Sequence, residues 1–135
     1  MSEEFIGSCL CGKVEFKVLG SFESFFLCHC NRCQKGTGSA HAANLFSKSA
    51  KLTWIKGKEE IKTYRVPETQ HERRFCQECG ARLPMLQMNG DLLVVPAGSL
   101  DSPIDMQPNA HIFYASRAEW DMGLDCVQKL DNLPS

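Results

Sequence analysis

Hydrophobic and polar positions alternate along much of this chain. Val14, Phe16 and Val18 fall on one side of an extended segment while Lys13, Glu15 and Lys17 fall on the other, the period of two that marks a strand with one buried face. Between residues 52 and 66, Leu-Thr-Trp-Ile and Ile-Lys-Thr-Tyr-Arg-Val flank Lys56-Gly57-Lys58, which predicts two paired strands joined by a turn at the glycine. Asn89-Gly90 separates apolar runs at 83–88 and 92–95, and Asn-Gly suits the type I′ hairpin turn because both of its central residues need positive φ. The segment 99–109, interrupted by Pro103 and Pro108, reads as a loop crossing the surface. Helix signals are sparse: Ser116 and Glu119 have capping-box spacing and predict one short helix near the C-terminus carrying Trp120. The pattern as a whole predicts a mainly β fold of small antiparallel sheets with that one short C-terminal helix.

Composition bounds this picture without changing it. With 135 residues, 43% of them apolar, the chain suits one core better than two, so residues 1–135 are read as a single domain. Its 15 basic and 16 acidic side chains leave a net charge of -1, which offers no electrostatic footprint for nucleic acid. Met1-Ser2-Glu3-Glu4 is acidic where a secretory leader is basic, and no apolar run long enough for a leader or a membrane span follows. The expected setting is the cytoplasm, away from membranes. In that reducing compartment a chain with eight cysteines is read as metal-binding or catalytic rather than disulfide-bonded. A bridge within Cys-x-Cys would also close a very small, strained ring.

Seven of those cysteines form three clusters: Cys9 and Cys11; Cys28, Cys30 and Cys33; Cys76 and Cys79. Residues two apart on a strand project to one face, so Cys9 and Cys11 can offer both sulfurs to one ion. Cys76-Gln77-Glu78-Cys79-Gly80 has the spacing of a zinc knuckle. The two pairs together make a four-thiolate set, and such closed sites are structural. The middle trio lacks an evident fourth partner. Either that position is open, or it is filled from His29, His41, His71, His111 or Cys126, with His29 the weakest candidate because it should point to the opposite face. Three thiolates on a dication leave a net negative centre, better suited to holding an incoming thiol as a nucleophilic thiolate than to making hydroxide.

Arg32, Lys35 and Ser39 lie in a glycine-relaxed stretch after the trio and could hold the carboxylates of a peptide-like thiol. Arg73 and Arg74 join them if the knuckle packs beside the trio. His111 lies in the apolar context Ala110-His111-Ile112-Phe113 and is read as a core histidine with a partner ahead of a catalytic one. His71 is read as exposed, Cys126 as a small buried residue or free thiol, and Trp54, Phe113 and Trp120 as core.

The run Gly7-Ser8-Cys9-Leu10-Cys11-Gly12-Lys13-Val14, then Cys28-His29-Cys30-Asn31-Arg32-Cys33 with Gly38-Ser39, then Phe75-Cys76-Gln77-Glu78-Cys79-Gly80, resembles the glutathione-dependent formaldehyde-activating enzyme family, which includes centromere protein V relatives. Gly98-Ser99-Leu100-Asp101, Pro108, His111-Ile112-Phe113 and Ser116-Arg117-Ala118 with Trp120 look like that family's closing segment. The resemblance implies an Mss-type fold of small β-sheets tied by zinc. It implies a structural zinc on Cys9, Cys11, Cys76 and Cys79 and a second zinc on Cys28, Cys30 and Cys33. It also implies a carbon-sulfur lyase chemistry in which glutathione and formaldehyde form S-hydroxymethylglutathione. Gln34, where many members carry a basic residue, and Ala81, where a small hydroxyl residue is common, depart from the family pattern. The alternative is a non-catalytic, zinc-stabilised module that binds a protein partner through the same β surface.

Overall fold

The computed structural model describes residues 3–134. Its strands are β1 (Glu4–Ser8), β2 (Glu15–Leu19) and β3 (Ser24–Cys28), followed by the α-helix α1 (Asn31–Thr37). After these come β4 (Ala42–Ser47), β5 (Lys51–Lys56), β6 (Ile61–Arg65) and β7 (Glu72–Cys76). The chain closes with β8 (Arg82–Leu83), β9 (Met85–Gln87), β10 (Leu92–Pro96) and β11 (Ala110–Ile112). They form three small sheets, in the orders β1-β2-β5, β11-β3-β4-β10-β9 and β6-β7-β8. All pairings are antiparallel except β11 with β3, which is parallel. The mainly β architecture of small sheets with one α-helix is the expected one.

The alternation around β2 works as its pattern requires. Val14, Phe16 and Val18 are fully buried, and they join Phe5, Phe25, Leu45, Leu83, Leu93 and Val95 in the main core. The Phe16 ring meets Trp54 edge-on at 5.9 Å, so strands of the first sheet are locked through their inner face. Phe16→Ala is expected to cost about 3–5 kcal/mol, the range for a large aromatic deleted from a packed core. Urea unfolding measures this, and a loss below about 1 kcal/mol would place Phe16 outside the core.

Three local expectations are corrected. Among the described residues no α-helix follows Ser116: Tyr114–Ser116 make a single 3-10 turn, and the α-helix found is instead α1, seven residues beside the cysteine trio. Strands β5 and β6 do not pair across Gly57, since β5 joins β2 and β6 joins β7. Gly57, at φ 81°, is needed because a Cβ there would collide with the Lys13 carbonyl; it marks a close approach at the end of the paired strands β2 and β5 rather than a hairpin. Strands β9 and β10 do pair around Asn89-Gly90, yet the turn is longer than two residues. Met88, Asn89 and Gly90 all take positive φ (53°, 57° and 93°), and Gln87 opposes Leu92. The 99–109 loop runs irregularly as expected, held along β1 by Asp101 N–H to Ile6 O at 2.7 Å and at β3 by Phe25 N–H to Asn109 Oδ1 at 2.8 Å.

Candidate functional site

The first and third sheets each present a hairpin turn to the other; Cys9, Cys11 and Cys79 sit in those turns and Cys76 ends β7 at the start of its turn. Cys9 and Cys11 are not on an extended strand, as their spacing suggested; they lie in the turn between β1 and β2. Cys9 N–H donates to Val14 O at 3.0 Å, and Gly12 N–H donates to Cys9 O at 3.1 Å. The knuckle repeats this geometry, with Cys76 N–H to Ala81 O at 3.0 Å and Gly80 N–H to Cys76 O at 2.7 Å. The Sγ atoms of Cys9 and Cys11 are 3.6 Å apart, and those of Cys11 and Cys76 3.9 Å. Four sulfurs at zinc–thiolate bond length on a tetrahedron are about 3.8 Å apart, so the set fits one ion. All four thiols are free and lie within 4.8 Å of one another. A Lys13–Glu78 ion pair at 3.0 Å ties the two turns together at the surface.

Four touching thiols cannot all ionise without a cation among them. Burial works against the Cys79 thiolate, yet backbone N–H groups of Ala81 and Cys11 and the neighbouring thiols bring it down to about 6. For Cys11, the Lys13 N–H favours the thiolate, but burial and the Cys9, Cys79 and Cys76 thiols together push it up to about 11. A divalent ion removes this conflict by favouring every thiolate at once.

The middle trio is built where β3 ends and α1 begins. Cys28 is the last residue of β3. Cys30 is the N-cap of α1, at φ -65° and ψ 158°, and its sulfur accepts the Cys33 N–H at 3.4 Å. Gly38, left-handed at φ 67°, returns its N–H to Gln34 O and ends the helix. The three sulfurs fall within 4.8 Å of one another, and among the described residues no fourth histidine, cysteine or carboxylate belongs to that group. Burial raises the Cys28 and Cys33 thiols. Burial also opposes ionisation of Cys30, but the Cys33 N–H and the two adjacent thiols lower it below the ordinary cysteine value. The trio could therefore hold a metal ion through three sulfurs, and it opens onto a cavity.

That cavity, of about 510 Å³, is lined by Cys28, Cys30 and Cys33 together with Arg32, His71 and Arg82. Met85, Val94, Ile112 and Phe113 give it an apolar side. Its size suits a small molecule, for which sites of roughly 300–1,000 Å³ are usual. A second cavity of about 340 Å³ adjoins it through Asn31, Arg32 and His71, and adds Lys35, Tyr64 and Arg73. Arg73 donates from Nη1 to Gly36 O at 2.8 Å, bringing β7 against α1. Burial, then the charges of Arg32, Arg82 and Arg73, hold His71 below the usual imidazole value. Burial and Arg73 likewise lower Arg82. Arg32, Arg73 and Arg82 thus gather positive charge around the cavities, offset in part by Glu72 and by the trio cysteines beside Arg82, a setting that can attract anions.

Of the residues singled out from the sequence, Arg32, Lys35 and Arg73 line these cavities, whereas Ser39 lies exposed beyond the helix cap and lines neither. Arg74 lines neither. His71, expected to be exposed, is half-buried at both cavities, and its carbonyl accepts the Val66 N–H that closes the β6–β7 loop. Arg82 was not legible as a site residue; its signal was a lone cation entering the apolar run 83–86. His111 is exposed rather than core, and its Nδ1 meets His29 Nε2 at 2.8 Å. His29 is fully buried and, as its position between Cys28 and Cys30 predicts, is not in the sulfur group. Trp54 packs on the core, but Phe113 and Trp120 are exposed, and Cys126 is an exposed free thiol. Gln34 Nε2 donates to His29 O at 2.7 Å and to Ser116 O at 3.0 Å, fastening α1 to the closing segment.

A family model described as "Glutathione-dependent formaldehyde-activating enzyme" matches residues 4–116 of the chain. A protein of Halomonas elongata named "Putative glutathione-dependent formaldehyde-activating enzyme" is 29% identical over 121 residues, covering 84% of this chain and 77% of its own. A crystal structure of a Rhodobacter sphaeroides protein superposes with a TM-score of 0.58 at 21% identity, covering 78% of this chain and 98% of that one. That likeness is one of fold.

Proposed function

Because the chain belongs to the glutathione-dependent formaldehyde-activating enzyme family, we propose that it is a zinc-dependent carbon-sulfur lyase that joins glutathione to formaldehyde as S-hydroxymethylglutathione and splits it in reverse. The observation that carries this reading is the cavity lined by all three trio cysteines together with Arg32 and Arg82. Zinc bound by Cys28, Cys30 and Cys33 would supply a coordination position at which a thiol is held as its thiolate. A second zinc on Cys9, Cys11, Cys76 and Cys79 would be structural. In the addition a carbon-sulfur bond forms, the carbonyl π bond breaks, the thiol proton passes to solvent and the carbonyl oxygen takes one up.

The chain's own contribution is binding and placement. Arg32, Lys35 and Arg82 lie where they can pair with the carboxylates of the tripeptide, as guanidinium and ammonium groups pair with carboxylates generally. The apolar side formed by Met85, Val94 and Ile112 restricts water beside the sulfurs. Because the uncatalysed addition is easy, the gain comes from holding thiol and carbonyl in reacting geometry. The cytoplasm, where thiols stay reduced, suits this chemistry; among the described residues no helix is long and apolar enough to cross a membrane. We read residues 1–135 as one such domain.

Exchange NMR between hydrated formaldehyde and S-hydroxymethylglutathione tests the reading. Exchange faster than the spontaneous rate, and restored only by re-adding zinc to stripped protein, is the expected result. Exchange at the spontaneous rate with both zincs bound would instead favour a binding module. Arg82→Gln is expected to raise the KM for glutathione about tenfold or more while kcat changes little, since a charged hydrogen bond to substrate is worth about 1.5–3 kcal/mol. An unchanged KM would remove Arg82 from the binding site.

A further inference from the structure

Away from the cavity, a second group of donors takes no part in this chemistry. His29 lies between Cys28 and Cys30, His41 immediately precedes β4, and Asp121 sits in the irregular closing segment. One ring nitrogen of each histidine and a carboxylate oxygen of Asp121 lie within 4.8 Å of one another. None of the three lines the sulfur cavity. The His29 ring is fully buried, and the Asp121 side chain is 14% exposed. The two imidazoles lie against each other with ring centres 5.1 Å apart.

The hydrogen-bond pattern leaves this group incomplete. His29 Nε2 and His111 Nδ1 are 2.8 Å apart, so one donates to the other. With the proton on Nε2, His29 Nδ1 is a bare lone pair, and it faces Asp121 Oδ2 at 3.3 Å. Nδ1 of His29 and Nδ1 of His41 are both buried without a hydrogen-bond partner. Buried polar atoms are almost always partnered, and leaving two open is costly. A proton on His29 Nδ1 would serve the carboxylate alone, whereas a divalent cation can serve both imidazoles and the carboxylate together.

We propose that His29, His41 and Asp121 form a third metal site, separate from both cysteine sites, which takes a borderline first-row divalent ion. Two imidazoles and one carboxylate are the donor set that suits zinc, cobalt, nickel or ferrous iron, and three protein ligands leave positions for water or a small oxygen ligand. His111 completes the arrangement by accepting the Nε2 proton of His29, the outer-shell bond that commonly orients a ligating imidazole. An ion here would clamp residues 117–123, which have no regular secondary structure, to the chain that carries the trio. Arg117 lies over the Tyr114 ring at 4.3 Å and is bonded to Tyr114 O at 3.0 Å; its charge reaches His29, so an ion here must bind against that repulsion as well as with the Asp121 carboxylate.

The test adds cobalt(II) to protein whose cysteine sites are already filled with zinc. One further cobalt per chain is expected, with the weak visible bands of nitrogen and oxygen ligation and no sulfur-to-cobalt charge-transfer absorption. His41→Gln and Asp121→Asn should each weaken that binding about tenfold or more while zinc content stays at the wild-type level. His29 is left unchanged because its neighbours are the trio ligands. A Cys126→Ser variant should bind the extra ion as wild type does. No further cobalt, cobalt carrying a thiolate band, or equal affinity in wild type and both variants would overturn the site and leave a His29–Asp121 ion pair in its place.

Discussion

Cys76→Ser is expected to abolish the cooperative thermal transition of the folded chain and halve its zinc content. Cys76 is fully buried and, with Cys9, is part of the main core around Phe16 and Leu83. Its site brings together turns from two separate sheets. Structural zinc contributes about 10–16 kcal/mol to the folding of small zinc peptides, against a whole-domain stability of about 5–15 kcal/mol. Losing one ligand also leaves three adjacent thiols, one of them the buried Cys9, without a complete set to hold the ion, so the loss should approach the whole stability of the chain. Calorimetry with metal analysis measures this. A variant that melts cooperatively near the wild-type temperature would show that the four-cysteine site does not hold the sheets together.

Cys30→Ser should fail differently, with activity lost and the fold kept. Cys30 is a helix cap outside the main core, in the small cluster of Cys28, Cys33, Ala42 and Ile112. Serine is itself a good N-cap, so α1 should survive the exchange. Its hydroxyl is a poor substitute for a thiolate toward zinc, and substituting even outer-shell partners of a metal costs about 10–100-fold. The expected result is a fall in S-hydroxymethylglutathione formation of at least about 100-fold, with circular dichroism and melting temperature close to wild type. Full activity in Cys30→Ser would detach the chemistry from the trio. Unfolding would assign the trio a structural role like that of the outer pairs.

The grouping of the sulfurs is legible in the sequence because each cluster's members are only two or three residues apart. At that distance a turn or a strand end must bring them together, whichever it is, so mistaking the turn at Cys9 and Cys11 for a strand leaves the grouping intact. The strand of Val14, Phe16 and Val18 is legible because one of its faces is wholly buried. The helix α1 gives no such signal. It is seven residues long, buries only Cys33, and contains Gly36, so no apolar period can develop. Ser116 and Glu119 have the spacing of a cap, but Arg117 is extended at ψ 153°, and among the described residues no α-helix follows, only a 3-10 turn at Leu124–Cys126. His71 and Arg82 reach the cavity on the β6-β7-β8 sheet, far along the chain from the trio. Local pattern carries no information about that meeting; it depends on how the third sheet packs.

Cadmium-113 NMR of protein carrying cadmium in place of zinc distinguishes the two cysteine sites directly. Before thiol is added, one resonance should have the shift of four sulfur ligands and a second that of three sulfurs with an oxygen or nitrogen ligand. On addition of glutathione the first should stay and the second should move to the four-sulfur position. Two four-sulfur resonances in the free protein, or a three-sulfur resonance unmoved by saturating glutathione, would contradict the assignment of Cys28, Cys30 and Cys33 as an open, thiol-binding centre.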